Sequence, residues 1–123
     1  MDEFSWFVGL YEGEGSFYSR VCKKKYKRAD GTIKKYENGG IVLTLKMTDE
    51  DTIARAAKFL GQKYAIVDKK STDKTGYKTL YRTRVMGGVN DGNKLYELMK
   101  RMLPHLSQRR QEQINGHIDK VKD

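Results

Sequence analysis

The spacing of apolar residues changes period several times along this chain, and that alternation limits the folds open to it. Phe4, Phe7, Val8 and Tyr11 fall at i, i+3, i+4 and i+7, the stripe of a short amphipathic helix over residues 3–13 that ends at Gly13 or Gly15. From Ser16 the period becomes two. Phe17, Ser19 and Val21 then face inward, Tyr18, Arg20, Cys22, Lys24, Tyr26 and Arg28 face outward, and Asp30-Gly31 is the turn signal. The returning strand carries Ile41, Leu43, Leu45 and Met47 on one face and Val42, Thr44 and Lys46 on the other, after an Asn38-Gly39-Gly40 segment that reads as a bulge or kink. Thr48 is placed to cap a second helix, whose first turn is acidic, whose stripe is Ile53, Ala56, Ala57 and Leu60, and whose stop is Gly61.

The order then recurs. Residues 63–70 and 77–86 read as a second hairpin around a 71–76 turn, with Lys78, Arg82 and Arg84 on one face of the return strand. Leu95, Leu98, Met99 and Met102 mark a third helix punctuated by Pro104, and Ser107 opens a last helix containing Ile114, Ile118 and Val121. The expected class is α+β in the order αββαββα plus one helix, with two long hairpins forming one sheet and helices on its other face. With 123 residues and no linker, residues 1–123 are expected to be a single domain.

Charge narrows the partner. The net charge is +9, but residues 1–17 carry −4, residues 18–48 carry +7 and residues 62–84 carry +5. Two basic blocks with interleaved Tyr and Thr flank a nearly neutral helix. One lysine run is usually a solvated face, whereas two such blocks have the composition of a surface that neutralises phosphates. The single Cys22 excludes an internal disulfide and a Cys-rich zinc site, and no run approaches the roughly 18 apolar residues of a membrane span. The acidic start argues against a secretory signal or transit peptide, so a soluble intracellular protein is expected.

Residues 6–17 read Trp-Phe-Val-Gly-Leu-Tyr-Glu-Gly-Glu-Gly-Ser-Phe. Gly9 and Gly13, four apart, leave a smooth strip on one helix face where a second backbone can approach, in this domain or in another copy. Glu12 and Glu14 stand at the helix C-terminus, where the dipole disfavours carboxylates by up to about 1 kcal/mol. A divalent cation on a carboxylate, its shell completed by phosphate oxygens, would offset that.

These residues resemble the signature of LAGLIDADG homing endonucleases in its Gly-x-x-Glu-Gly-Glu-Gly-Ser-Phe form, and the αββαββα order extends the resemblance over essentially the whole chain. It implies a saddle-shaped antiparallel sheet, with Glu14 as metal-binding catalytic acid, the Gly13 carbonyl as a supporting ligand, and Mg²⁺ as cofactor (Mn²⁺ or Ca²⁺ substituting in binding). Glu12 is more often a structural residue of the helix end. Leu103-Pro104-His105-Leu106-Ser107-Gln108-Arg109 resembles the family's second signature, which makes Arg109 the basic residue that stabilises charge on the scissile phosphate. Leu45 falls where many relatives carry a water-organising Gln, and neighbouring Lys46 is the substitute for that role.

The resemblance also implies a homodimer, because the family builds its two metal sites where two motif helices meet and this chain has one motif; Phe7, Gly9, Leu10, Glu12 and Gly13 would lie at the interface, with one metal site per DNA strand. The two hairpins would follow half of a double-stranded, pseudopalindromic target, with Tyr18, Arg20, Lys24, Tyr26, Arg28, Thr44, Lys46, Lys70, Lys78, Arg82 and Arg84 as DNA contacts. Such a protein works where the DNA is, in a bacterial or phage cytoplasm or an organelle. The rival is a non-cleaving nucleic-acid binder such as an intron RNA maturase, which would need the basic hairpins but no carboxylate aimed at phosphate. Asp68-Lys69-Lys70 echoes another nuclease class without a matching acid upstream. His105 and His117 are read as structural, and Cys22 as a small side chain on the sheet.

Overall fold

The computed structural model describes residues 2–68 and 79–121, with side chains except at 21–26, 34–38 and 68. Helix α1 (Glu3–Glu14) leads into β1 (Gly15–Lys27) and β2 (Ile33–Met47), then α2 (Glu50–Leu60), β3 (Tyr64–Asp68), β4 (Leu80–Gly87), α3 (Lys94–Met102), a 3-10 turn (Leu103–His105) and α4 (Gln108–Val121). The strands form one antiparallel sheet in the order β1-β2-β4-β3, so the expected α+β architecture is observed. No helix among the described residues is long and apolar enough to cross a membrane.

The period-two reading decides which face is covered. Phe17, Leu43 and Val85 stand in one cross-strand row, Gly15, Leu45 and Thr83 in the next, and all are buried beneath the helices. One cluster of buried residues joins Phe7 and Tyr11 of α1, Ile53 of α2, Met99 of α3 and Ile114 of α4 to these strands. The residues between them, Ser16, Tyr18, Arg20, Thr44, Lys46, Arg82 and Arg84, line the opposite, helix-free face.

Local chemistry sets the boundaries. Asp2 caps α1 by accepting from the Ser5 N–H at 2.7 Å, and Asn93 caps α3 by accepting from the Leu95 and Tyr96 N–H groups. In the β1–β2 turn Asp30 accepts from both Thr32 N–H and Thr32 Oγ1, and Gly31 takes φ +90°. Gly61 ends α2 at φ +68°.

Two local expectations are corrected. The α2 cap is Asp49, which accepts from the Thr52 N–H at 3.2 Å; Thr48 lies one residue outside, because the acidic side chain also complements the helix dipole. Nor is there a bulge at residues 38–40, since β1–β2 pairing runs unbroken from Gly15↔Leu45 to Lys27↔Ile33. These glycines serve close approach: a Cβ on Gly39 would meet Val121 Cγ1 at 2.6 Å, and one on Gly40 the Gly87 carbonyl at 2.9 Å. The irregularity sits in β3, between Ile66 and Asp68.

Helix α4 is fastened to β1 through His117, whose Nδ1 accepts from the Ser19 N–H at 3.2 Å and lies 3.0 Å from Ser19 Oγ. Burial first, and nearby Lys120 second, hold the His117 pKa below the ordinary value. A depressed folded pKa means that the unfolded chain takes up the proton more readily. The stabilisation is therefore present above the unfolded pKa of about 6.5 and is lost as pH falls from there through the folded value. Urea denaturation at pH 7.5 and pH 5.5 should give a lower midpoint at the acid value, and His117→Gln should flatten that difference; an equal slope in wild type and variant would count against it.

Candidate nucleic-acid interface

At 100° per residue, Glu12 and Glu14 point to nearly opposite sides of α1, and the structure gives them separate environments. Glu12 is turned toward α4. Its carboxylate accepts from the Ser107 N–H at 2.5 Å and Ser107 Oγ at 3.2 Å, and Arg110 Nε lies 3.5 Å away. The Ser107 N–H, followed by other contacts that include the charges of Arg110 and Arg109, lowers its pKa. Arg110, only 8% exposed, also donates from Nε at 3.3 Å and from Nη2 at 3.2 Å to the main-chain carbonyl of Glu12. Its guanidinium stands 5.2 Å from the centre of the Tyr11 ring, whose phenol is pushed up to about 12 by burial. The dipole penalty at Glu12 is thus offset inside the subunit, by the start of α4 and a buried cation.

Glu14 has no such relief. Among the described residues it has no hydrogen-bond or ion-pair partner, and it stands at the end of a cleft of about 290 Å³ lined otherwise by Ser16, Tyr18, Thr44, Lys46, Arg82 and Arg84. The register explains the assembly: Ser16, Thr44 and Arg84 form one row across β1, β2 and β4, and Lys46 lies opposite Arg82 in the next. Like charges directly opposite destabilise a sheet, so the Lys46–Arg82 pair is the mark of a surface that receives an anion. Thr44 is 6% exposed, and its Oγ1 is buried without a hydrogen-bond partner among the described residues. That hydroxyl is covered, an unsatisfied group beneath the cleft.

Several expected site residues come together here: Glu14, Lys46, Thr44, Tyr18, Arg82 and Arg84 share the cleft, and Arg20 continues the same face, with Nη1 3.8 Å from Met86 Sδ. Leu45 is fully buried on the helix-covered side, whereas Lys46 lines the cleft. Arg28 is exposed at the far end of the hairpin, where its N–H donates to the Thr32 carbonyl. Lys70, Lys78 and the side chains of Lys24 and Tyr26 lie outside the described residues.

Other expected residues are relocated. Arg109 is exposed on the first turn of α4, near Glu12, and does not line the cleft, because α4 starts on the side of α1 away from Glu14. Phe7 belongs to the core and not to an outer face: it is fully buried and stacked on Phe59 at 4.7 Å, since it lies about 160° around α1 from Gly9. Glu12 is likewise engaged within the subunit. Gly9 and Gly13 are exposed, and a Cβ on either would meet nothing within 4 Å, so the intradomain reading of their spacing fails. Leu10 beside them is half-buried. Sequence reasoning missed Arg110, for which a cation following the Ser107 cap was the one available signal.

The arrangement defines an α+β chain with a cationic open sheet and one unpaired carboxylate at its head. No family model and no curated protein matches the sequence. Among solved structures the chain is similar to the homing endonuclease I-CvuI in complex with the I-CreI target in the presence of Mg with the DNA not cleaved, at a TM-score of 0.58 and 18% identity over 98% of this chain. It spans 66% of that chain's length, and the likeness shows the fold. A second comparison, I-SmaMI bound to an uncleaved DNA target in the presence of calcium ions, has a TM-score of 0.38 and 19% identity over 85% of this chain and 29% of that one.

Proposed function

We propose that this chain is a site-specific DNA endonuclease that uses a divalent cation and acts as a homodimer on a pseudopalindromic target. The observation that carries the reading is the unpaired Glu14 carboxylate beside Lys46, Arg82, Arg84 and the orphaned Thr44 hydroxyl, at the head of a cationic sheet. A surface meant only to bind phosphate gains nothing from a carboxylate there. The fold shared with I-CvuI, a DNA-bound homing endonuclease, points the same way.

The donors suit a hard cation in part. Glu14 offers a carboxylate and Gly13 a main-chain carbonyl, both oxygen ligands, while no group of three or more His, Cys, Asp or Glu is assembled among the described residues. One chain would therefore supply part of a shell and leave the rest to water and phosphate oxygens. Held by Glu14 and the Gly13 carbonyl, Mg²⁺ would supply Lewis acidity at the phosphodiester and activation of water. Lys46 and Arg82 stabilise the charge that develops on the phosphate, and Tyr18, Arg20 and Arg84 hold the duplex. The β1–β2 hairpin, with strands of 13 and 15 residues, reaches roughly 40–50 Å at about 3.3 Å per residue, on the order of a dozen base pairs per half-site.

The open Gly9–Gly13 strip is the surface on which α1 of a second copy packs. Replacing Gly13 by Leu is expected to convert a dimer to a monomer in sedimentation; an unaltered dimer would assign the interface elsewhere. The function itself is tested by incubating the protein with a randomised or host-locus DNA pool. Double-strand ends should form with Mg²⁺ and vanish with a chelator. Retarded DNA that is never cut with Mg²⁺ or Mn²⁺ would replace this reading with that of a non-cleaving binder.

A further inference from the structure

Next to the cationic cleft the open sheet face carries a row of a different chemistry. The register sets Tyr18 opposite Val42 and Val42 opposite Met86. Tyr18 is 40% exposed and Met86 48%, with Val42 as the buried floor between them. Cations border this apolar strip on both sides: Arg84 in the Ser16–Thr44 row and, beyond it, Arg20, whose Nη1 approaches Met86 Sδ at 3.8 Å. Met86 points away from the helices and packs no core, so the fold does not require an apolar residue there.

A face that draws in a polyanion on two flanks and presents apolar atoms between them matches one feature of duplex DNA. Among the base edges of the major groove, the C5 methyl of thymine is the apolar one. We propose that Tyr18, Val42 and Met86 form a thymine-reading strip, a specificity element that adjoins the cleft holding Glu14 and shares Tyr18 with it; the proposal rests on the DNA-binding reading above. From the Lys46–Arg82 row to the Val42 row is four residues along β2, roughly 13 Å at about 3.3 Å per residue, or about four base pairs. Thymine is thus expected roughly three to five base pairs outward from the base pair facing Glu14, once in each half-site.

The probe is a randomised synthetic duplex pool, enriched by binding to the wild-type chain without cleavage, and then the enriched duplex resynthesised with deoxyuridine at the thymine in question. Uracil lacks only the methyl, so affinity should fall about three- to fourfold for one half-site and on the order of tenfold for both. Met86→Gln, exposed enough to leave the melting temperature unchanged, should narrow the difference between thymine and uracil duplexes, with Tyr18 and Val42 still in the strip. Enriched duplexes without thymine there, equal wild-type affinity for the two bases, or a uracil penalty undiminished in Met86→Gln would each overturn the strip while leaving DNA binding intact. A pool from which nothing is enriched would overturn the DNA-binding reading itself.

Discussion

Glu14→Gln is expected to lower the rate of DNA cleavage by about 10³-fold or more while leaving affinity for duplex DNA equal to or slightly above that of the wild type. The substitution keeps the shape of the side chain and removes its charge, and with it the one anionic donor of the cleft. Binding moves the other way, because Lys46, Arg82 and Arg84 then face the phosphates without a carboxylate among them. Single-turnover cleavage in Mg²⁺ and gel retardation in a chelator, run on the same target, separate the two effects. Equal, measurable cleavage rates for Glu14→Gln and wild type would take Glu14 out of the chemistry, and no cleavage by either would sink the nuclease reading, whatever the retardation shows.

The second large effect concerns stability. Arg110→Met is expected to destabilise the fold by roughly 3 kcal/mol, a fall in melting temperature of roughly 10 °C. The loss combines two charge-assisted hydrogen bonds to the Glu12 carbonyl with the ion pair to its carboxylate, in a side chain that is almost entirely buried. Methionine fills similar space, which keeps cavity formation small. Arg109→Met, one residue away and exposed, should shift stability by less than about 0.5 kcal/mol. Urea denaturation of the two variants decides: similar losses for both would mean that the Arg110 clamp contributes nothing of its own. The clamp bears on the site because it holds the last turn of α1, from which Glu14 is presented.

Much of the architecture was legible because it follows from local pattern. The 3.6-residue stripe of Ile53, Ala56, Ala57 and Leu60 and the alternation of Ile41, Leu43 and Leu45 each require a buried face, and each is buried as read. The Asp30-Gly31 turn and the Gly61 stop were equally visible, since each depends on a residue suited to an unusual backbone state or to its own side-chain cap. The cap of α2 was displaced by one residue because Thr48 and Asp49 can both serve, and the carboxylate of Asp49 also complements the helix dipole.

Site residues were legible where they share a strand and illegible where they meet across the fold. Arg82 and Arg84 read as one face of β4 from their spacing, but their placement beside Glu14 depends on the pairing of β2 with both β1 and β4. Glu12 and Glu14 look equivalent in the sequence, two acids at one helix end. Only the docking of α4 separates them, by delivering the Ser107 N–H and Arg110 to one and leaving the other bare. Phe7 looked like a candidate for an outer face until α2 brought Phe59 against it. The chain by itself determined its periodicities, its turns and the charge of its sheet face, because these arise from neighbours in sequence. The tertiary structure alone decided which carboxylate is neutralised and which stays available, because that turns on contacts between residues nearly a hundred positions apart.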